Sequence, residues 1–236
     1  MAPDWNSLAT ALFGSGHGIV AEGELLRGTA LLDGVPIAVV GTTGHAAIGV
    51  QLALAQARVV LDTVAQHPGR PILLLIDTQG QQLRRRDELL GINRAMAHLG
   101  MAIDLARRQG HRVLGLVYDQ ALSGGFITSG LIADACDALP GAEIRVMRIP
   151  AMARVTKLPE ALLAELSLSN PVFAPGVDNY VAMGGVRRLW EGDDLQACLR
   201  GALADAPDTD IRATDGAARG GRRLAAAVVQ QVLDAA

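Results

Sequence analysis

"PILLLIDTQG", Pro71 to Gly80, carries the reading that decides the fold. Its apolar run, Ile72 to Ile76, has no polar alternation. That marks a strand buried on both faces, the environment of a parallel sheet. The run ends in polar loop residues, so Asp77 is expected at the strand's C-terminal end. Working outward, "HRVLGLVY", His111 to Tyr118, reads as a second buried strand. Between the two, Leu89, Ile92, Met96, Leu99, Ile103 and Ala106 recur three and four apart. This predicts one long helix, closed by Gly110 after Arg107 and Arg108.

Upstream, "ELLRGTALLDGVPIAVVGTTG" reads as two strands joined at Asp33-Gly34, a pair that supplies the positive φ angles of a tight hairpin. From there to Gln66 the pattern turns helical, with Ile48, Leu52, Ala55 and Val59 on one face, until "HPGRP" breaks it. Downstream, a small-residue helix is expected from Gly124 to Asp134, a third strand in "AEIRVMRI", and a helix over 159–168. Amphipathic helices at 194–204 and 222–235 close the chain. No low-complexity linker appears, although "APDTDIRATDGAARGG" has the composition of a connection. The expectation is one domain over 1–236 with a helical C-terminal tail from about 193.

Composition bounds the function. At 236 residues and 50% hydrophobic, the chain can bury a sizeable core, and with 3% aromatics that core is built from small and aliphatic side chains. A net charge of -3 gives no electrostatic footprint for nucleic acid. Cys136 and Cys198 are too few and too far apart for a disulfide framework or a CxxC site, and other metal-ligand types do not cluster along the sequence, so no metal is expected. The N-terminus lacks a basic segment followed by an unbroken apolar one, and Ala46 to Gln66 carries Gln51, Gln56, Arg58 and Asp62. Neither secretion nor a membrane span is expected, and the sparse cysteines fit a reduced, cytosolic chain.

In parallel α/β architectures the loops leaving the C-terminal ends of strands collect functional groups, and a helix starting there offers free N–H donors. Asp77 to Gly80 and Gln120 to Gly125 qualify. Without side chains, Gly124 and Gly125 would let a ligand oxygen approach their N–H groups, as in an oxyanion hole. The same Ser-Gly-Gly can equally be a turn that lets neighbouring segments approach. "GSGHG", Gly14 to Gly18, lacks a preceding strong strand and a following lysine, and reads as a turn rather than a phosphate loop. A serine hydrolase using Ser123 is opposed by Ala121, which stands where the nucleophile elbow wants glycine; His45, His98 or His111 would have to supply its base. Arg145, Arg148, Arg154 and Lys157 suit either a phosphate-bearing ligand or structural ion pairs.

With those residues in place, "PILLLIDTQGQQLRRRDELLGINRAMAHLG", "GHRVLGLVYDQALSGGFITSGLIADA" and "ALPGAEIRVMRIPAMARVTK" resemble the gamma subunit of biotin-independent malonate decarboxylase. That family lies in the carboxyltransferase branch of the crotonase-like superfamily, whose α/β fold is a Clp-like spiral of ββα units with flanking helices. Its DTPG loop is matched by Asp77-Thr78-Gln79-Gly80, its GSGGA loop by Leu122 to Phe126, and its downstream acidic residue and glycine by Glu88 and Gly91.

The resemblance implies decarboxylation of malonyl-S-acyl carrier protein to the acetyl form and carbon dioxide through a thioester enolate. It also implies oxyanion-hole N–H groups at Gly124 and Gly125, with Ser123 supporting the loop. A second donor region falls near Gly80, Gln81 and Arg84, where Arg84 departs from the glycine often found. No cofactor is expected on this chain and no biotin; the substrate would ride on a dephospho-CoA-derived arm. Implied partners are a beta subunit completing the site, the acyl carrier protein and an acyl-transfer subunit. A biotin-dependent acyl-CoA carboxyltransferase subunit and a noncatalytic scaffold stay open as alternatives.

Overall fold

A computed structural model describes residues 3–168, 176–221 and 223–235. In chain order these form α1 (Trp5–Phe13), β1 (Gly18–Glu22), β2 (Leu25–Leu32), β3 (Val35–Thr42), β4 (Ala46–Ile48), α2 (Val50–Gln66), β5 (Ile72–Gln81), α3 (Arg85–Leu89), α4 (Ile92–Arg108) and β6 (Val113–Leu122). There follow α5 (Ser123–Ile127), β7 (Ala135–Ala138), β8 (Glu143–Arg145), α6 (Ile149–Thr156), α7 (Glu160–Ser167), α8 (Val177–Ala182), α9 (Leu195–Ala204), α10 (Arg212–Ala218) and α11 (Ala225–Asp234).

The expected hairpin is β2–β3, with Leu32 opposite Val35 and Asp33 and Gly34 both at positive φ. The two apolar runs pair in parallel, Ile72 opposite Val113. The sheet runs β1-β2-β3-β5-β6-β7, with β4 joined to β5 and β8 to β6. β5 and β6 are therefore long enough to serve two tiers. Their lower halves pair with β3 and β7, and their upper halves with β4 and β8. Between the tiers the register slips: β6 uses Val117 to Ala121 where β5 uses only Ile76 to Thr78. Such an irregularity twists the strands and re-aims side chains.

Alternation along β5 divides the core. Leu74 and Ile76 pack with α2 and α4 residues such as Val60 and Leu99, while Leu73 and Leu75 pack with Leu8 and Leu12 of α1 and Leu199 of α9. The buried apolar set has only Tyr118, Phe126 and Trp190 as aromatic members among the described residues and is otherwise small or aliphatic, with Met96 and Cys136, as the composition implied.

Five expectations about elements change. Asp77 lies inside β5 rather than at its end, because pairing with β4 carries the strand on to Gln81. The helix expected from Ala46 starts at Val50, its first residues being β4. The long helix from Leu89 is broken at Gly91, which takes φ 76°. The Gly124–Asp134 helix stops at Ile127, and the chain turns through Gly130, where a Cβ would lie 2.6 Å from Ile76 Cδ1. "AEIRVMRI" supplies only three strand residues, in β8; Val146 and Met147 form a bend leading to Arg148, and Ile149 opens α6. The amphipathic helix expected over 222–235 is observed as α11; Arg222 itself lies outside the described residues. Among the described residues no helix is long and apolar enough to cross a membrane.

Candidate active site

β6 ends at Leu122 in extended conformation, and Ser123 then adopts φ 52°, a left-handed value that turns the chain sharply into α5. β5 approaches from the side with Gly80 at φ 101°. The two segments touch so closely that a Cβ on Gly80 would meet Ser123 Cβ at 3.0 Å and the Leu122 carbonyl oxygen at 3.1 Å. On Gly125 it would meet Thr78 Oγ1 at 2.8 Å and Gly80 Cα at 3.2 Å. Close approach therefore explains Gly80 and Gly125 in full.

Gly124 differs. A Cβ there would meet only the ends of two flexible side chains, Gln81 Oε1 and Met96 Cε, each at 3.2 Å. The Gly124 carbonyl accepts two bonds, from Thr128 N–H at 3.0 Å and Thr128 Oγ1 at 2.9 Å, and the Gly125 carbonyl accepts from Ser129 Oγ at 2.8 Å. Because a trans peptide points its N–H opposite its C=O, fixing these carbonyls along α5 aims the Gly125 and Phe126 N–H groups back toward the strand ends. As the first turn of a helix, these donors have no intrahelical acceptor. α5 spans only five residues, so its macrodipole adds little and the individual N–H groups matter.

Beside this turn opens a cleft of about 410 Å³, lined on one side by Gln79, Gln81, Leu83, Leu122 and Ser123, and on the other by Val146 to Arg148 and Ala151. Gln81 and Ser123 line this cleft, and Gly80 lies against Ser123 beside it. Arg84 does not line this cleft. It borders a smaller hollow with Glu24, Gly49 and Asp87, and its Nε and Nη2 donate to the suitably oriented Gln82 amide oxygen at 3.1 and 3.0 Å.

The hydrolase reading fails on geometry. His111 Nδ1 lies 2.9 Å from the Arg70 carbonyl oxygen, and His45 is engaged with aspartates. Among the described residues no histidine is hydrogen-bonded to Ser123.

Folding brings together a group that linear spacing concealed, and the expectation that metal-ligand types stay dispersed is corrected here. His45, at φ 53°, donates its N–H to Asp77 Oδ2 at 2.8 Å, and its Nε2 lies 2.9 Å from Asp119 Oδ2 and 3.8 Å from Asp77 Oδ1. The ligand atoms of the three lie within 4.8 Å of one another. Burial pushes the Asp77 carboxyl above its ordinary range, opposed by the His45 N–H and imidazole. The register slip between β5 and β6, invisible in periodicity, is what sets Asp119 opposite Asp77. Asp77 itself continues the Leu73–Leu75 face, whereas Thr78, which touches Gly125, continues the other.

The two-tiered sheet with a glycine-rich turn between strand and helix defines a crotonase-like chain of the carboxyltransferase type. A transcarboxylase 12S structure with hydrolysed methylmalonyl-coenzyme A bound shares this fold at TM-score 0.74 and 21% identity, over 89% of this chain and 43% of its own. The chain belongs to the malonate decarboxylase gamma subunit family, whose sequence pattern it matches over residues 43–236.

Among solved structures it is similar to a Pseudomonas malonate decarboxylase hetero-tetramer in complex with coenzyme A, at TM-score 0.78 and 27% identity over 98% of this chain and 99% of that one. It is also similar to the Pseudomonas MdcD-MdcE hetero-dimer, at TM-score 0.76 and 29% identity over 97% of both. A Malonomonas rubra protein named malonyl-S-ACP:biotin-protein carboxyltransferase is 36% identical over 140 residues, 58% of this chain. The match spans about half, 48%, of that curated relative's length.

Proposed function

We propose that this chain is the gamma subunit of a malonate decarboxylase and, with a beta subunit, converts malonyl-S-acyl carrier protein to acetyl-S-acyl carrier protein and carbon dioxide. The observation that carries this is the left-handed Ser123 turn, which starts α5, with N–H groups that have no intrahelical acceptor, at the edge of an apolar-walled cleft that Ser123 itself lines. When the bond between the malonyl carboxylate and the α-carbon breaks, its electron pair delocalises onto the thioester oxygen. Donors aimed at that oxygen stabilise the transition state more than the ground state. The enolate carbon then takes a proton, from water or a side chain, to give the acetyl thioester. Gly124 and Gly125 act through their N–H groups, Ser123 holds the turn, and Gly80 and Gln81 flank it from the end of β5. Arg84, one cleft away, is the weakest member of the set.

The exposed apolar rim of the cleft, with Leu83 81% and Val146 50% exposed, supports a site completed by a second subunit. The Pseudomonas relatives crystallised as hetero-dimer and hetero-tetramer point the same way. By this reading the substrate arrives on the dephospho-CoA-derived arm of an acyl carrier protein loaded by an acyl-transfer subunit. No cofactor or biotin is held by this chain, and the setting is the cytoplasm. Carbon dioxide release from malonyl-loaded carrier protein, by this chain alone and with its co-expressed beta partner, tests the reading. Release by the pair alone is expected; release by the isolated chain would overturn the shared site.

A second reading, carboxyl transfer to biotin, corresponds to the activity for which the Malonomonas rubra relative is named. Labelled carboxyl appearing on a biotin protein, without free carbon dioxide, would select it.

A further inference from the structure

The far wall of the cleft carries charges that the oxyanion turn does not use. β8 pairs with the end of β6 so that Arg145 sits opposite Leu122, one residue before Ser123. Glu143, two residues back on β8, serves two guanidinium groups: Arg145 Nε at 3.0 Å and Arg148 Nε at 3.4 Å. The Arg145 contact is an ion pair without a hydrogen bond, because that buried Nε has no acceptor along its N–H axis. One carboxylate against two guanidinium groups leaves an excess positive charge. Arg148 directs it into the cleft, whose lining contains no acidic side chain among the described residues. The rest of that wall is apolar, through Val146, Met147 and Ala151, and a cation beside apolar surface attracts an anion more strongly than one in open water.

We propose that Arg148, held with Arg145 on Glu143, binds an anionic oxygen group of the acyl substrate. This inference rests on the decarboxylase reading for the substrate's identity. Two groups on such a substrate share the required chemistry: the malonyl carboxylate and a phosphate of the carrier arm. A planar guanidinium matches either with paired N–H donors. They differ kinetically. A grip on the carboxylate holds charge that must leave as the bond breaks, so it favours the ground state. A grip on the arm phosphate persists unchanged into the transition state.

The test uses the co-expressed beta–gamma complex with Arg148→Gln, Arg148→Lys and Glu143→Gln. The substrates are malonyl-loaded carrier protein and a truncated malonyl thioester without phosphate. Arg148→Gln should raise KM for the loaded carrier roughly 10-fold or more, the size expected for losing a charged hydrogen bond. Arg148→Lys should recover part of that loss, and Glu143→Gln, which frees both guanidinium groups, should lower KM. If the loss persists on the truncated thioester and kcat does not fall, the group is the carboxylate. If it disappears there, the group is the phosphate. KM within about 2-fold of wild type on both substrates for Arg148→Gln would overturn the inference. Equilibrium binding of the same thioesters reads the cleft independently of turnover. A wild-type complex that binds them but releases no carbon dioxide fails the decarboxylase reading alone.

Discussion

The two adjacent glycines in the Ser-Gly-Gly turn answer to different constraints, and alanine separates them. At Gly125 an added methyl collides with Thr78 Oγ1 and the Gly80 backbone, so Gly125→Ala should displace the turn and lower Tm. At Gly124 the neighbours are the movable ends of Gln81 and Met96, so Gly124→Ala should fold and assemble normally. Alanine there keeps the backbone N–H, so a larger side chain that fills the oxygen's approach is the informative change: if the turn is the oxyanion site, Gly124→Leu should lower carbon dioxide release about as much as a missing donor, roughly 10²-fold in kcat. Unimpaired turnover in a folded Gly124→Leu complex would remove the turn from the mechanism. Asp137 offers a second residue-level test. It is fully buried in β7, its Oδ2 accepts from Trp190 Nε1 at 2.7 Å, and its Oδ1 has no partner. Burial pushes its carboxyl above the ordinary value of 3.8, with Trp190 and Arg188 opposing. Between 3.8 and the raised value the native protein binds more protons than the unfolded chain, so this group's contribution to stability falls as pH rises through that window. Asp137→Asn keeps an acceptor for Trp190 and removes that slope. Denaturant titrations at stepped pH should show the variant gaining on wild type as pH rises, and parallel curves would exclude the effect.

At the scale of elements, the pair of apolar runs and the Asp-Gly hairpin were legible because each has a local cause, continuous burial in one case and a turn conformation in the other. The boundaries that moved had causes elsewhere in the chain. β5 outlasts its apolar run because Ala46 and Ile48 pair with it, and three residues of β4 are too short for any period to register. Gly91 splits a helical pattern that continues on both sides of it, so periodicity passes through the break. The glycine turn and its facing loop could be read from residue types, whereas the Glu143–Arg145–Arg148 wall and the His45–Asp77–Asp119 group depend on strand register. Asp87 shows the same dependence on tertiary structure. The N-cap of α2 is Gly49, which has no side chain to cap it, and the Val50 N–H is instead accepted by Asp87 Oδ1 of α3 at 2.9 Å. Asp87→Ala should cost about 1 kcal/mol, as for other N-caps. That corresponds to a drop of roughly 2–4 °C in Tm for a chain of this size. An unchanged Tm would mean that solvent caps the helix equally well.

At the scale of the whole molecule, the C-terminal region divides. α9 packs against α1 through Leu199 and Ala202, and Arg200 is paired with Asp33 at 2.6 Å across the hairpin turn. α11 has no buried residue, and Val228, Val229, Val232 and Leu233 are all exposed. Deleting 225–236 should therefore leave Tm within about 2 °C, because surface changes away from packed features are near neutral. A larger fall would show that the segment supports the core. The free side of β7 is covered from far along the chain: Ala138 N–H donates to the Arg188 carbonyl at 3.1 Å, and Trp190 N–H donates back to Ala138 at 2.9 Å. That closure reaches across some fifty residues of sequence. A ribosome making this protein will have released β5, β6 and β7 well before the segment that caps them emerges. During that interval the nascent sheet carries a bare edge, the surface through which unfinished chains pair with one another. Slow translation between Ala138 and Trp190 would lengthen the exposure, and chaperone occupancy on stalled nascent chains should fall once Trp190 clears the exit tunnel.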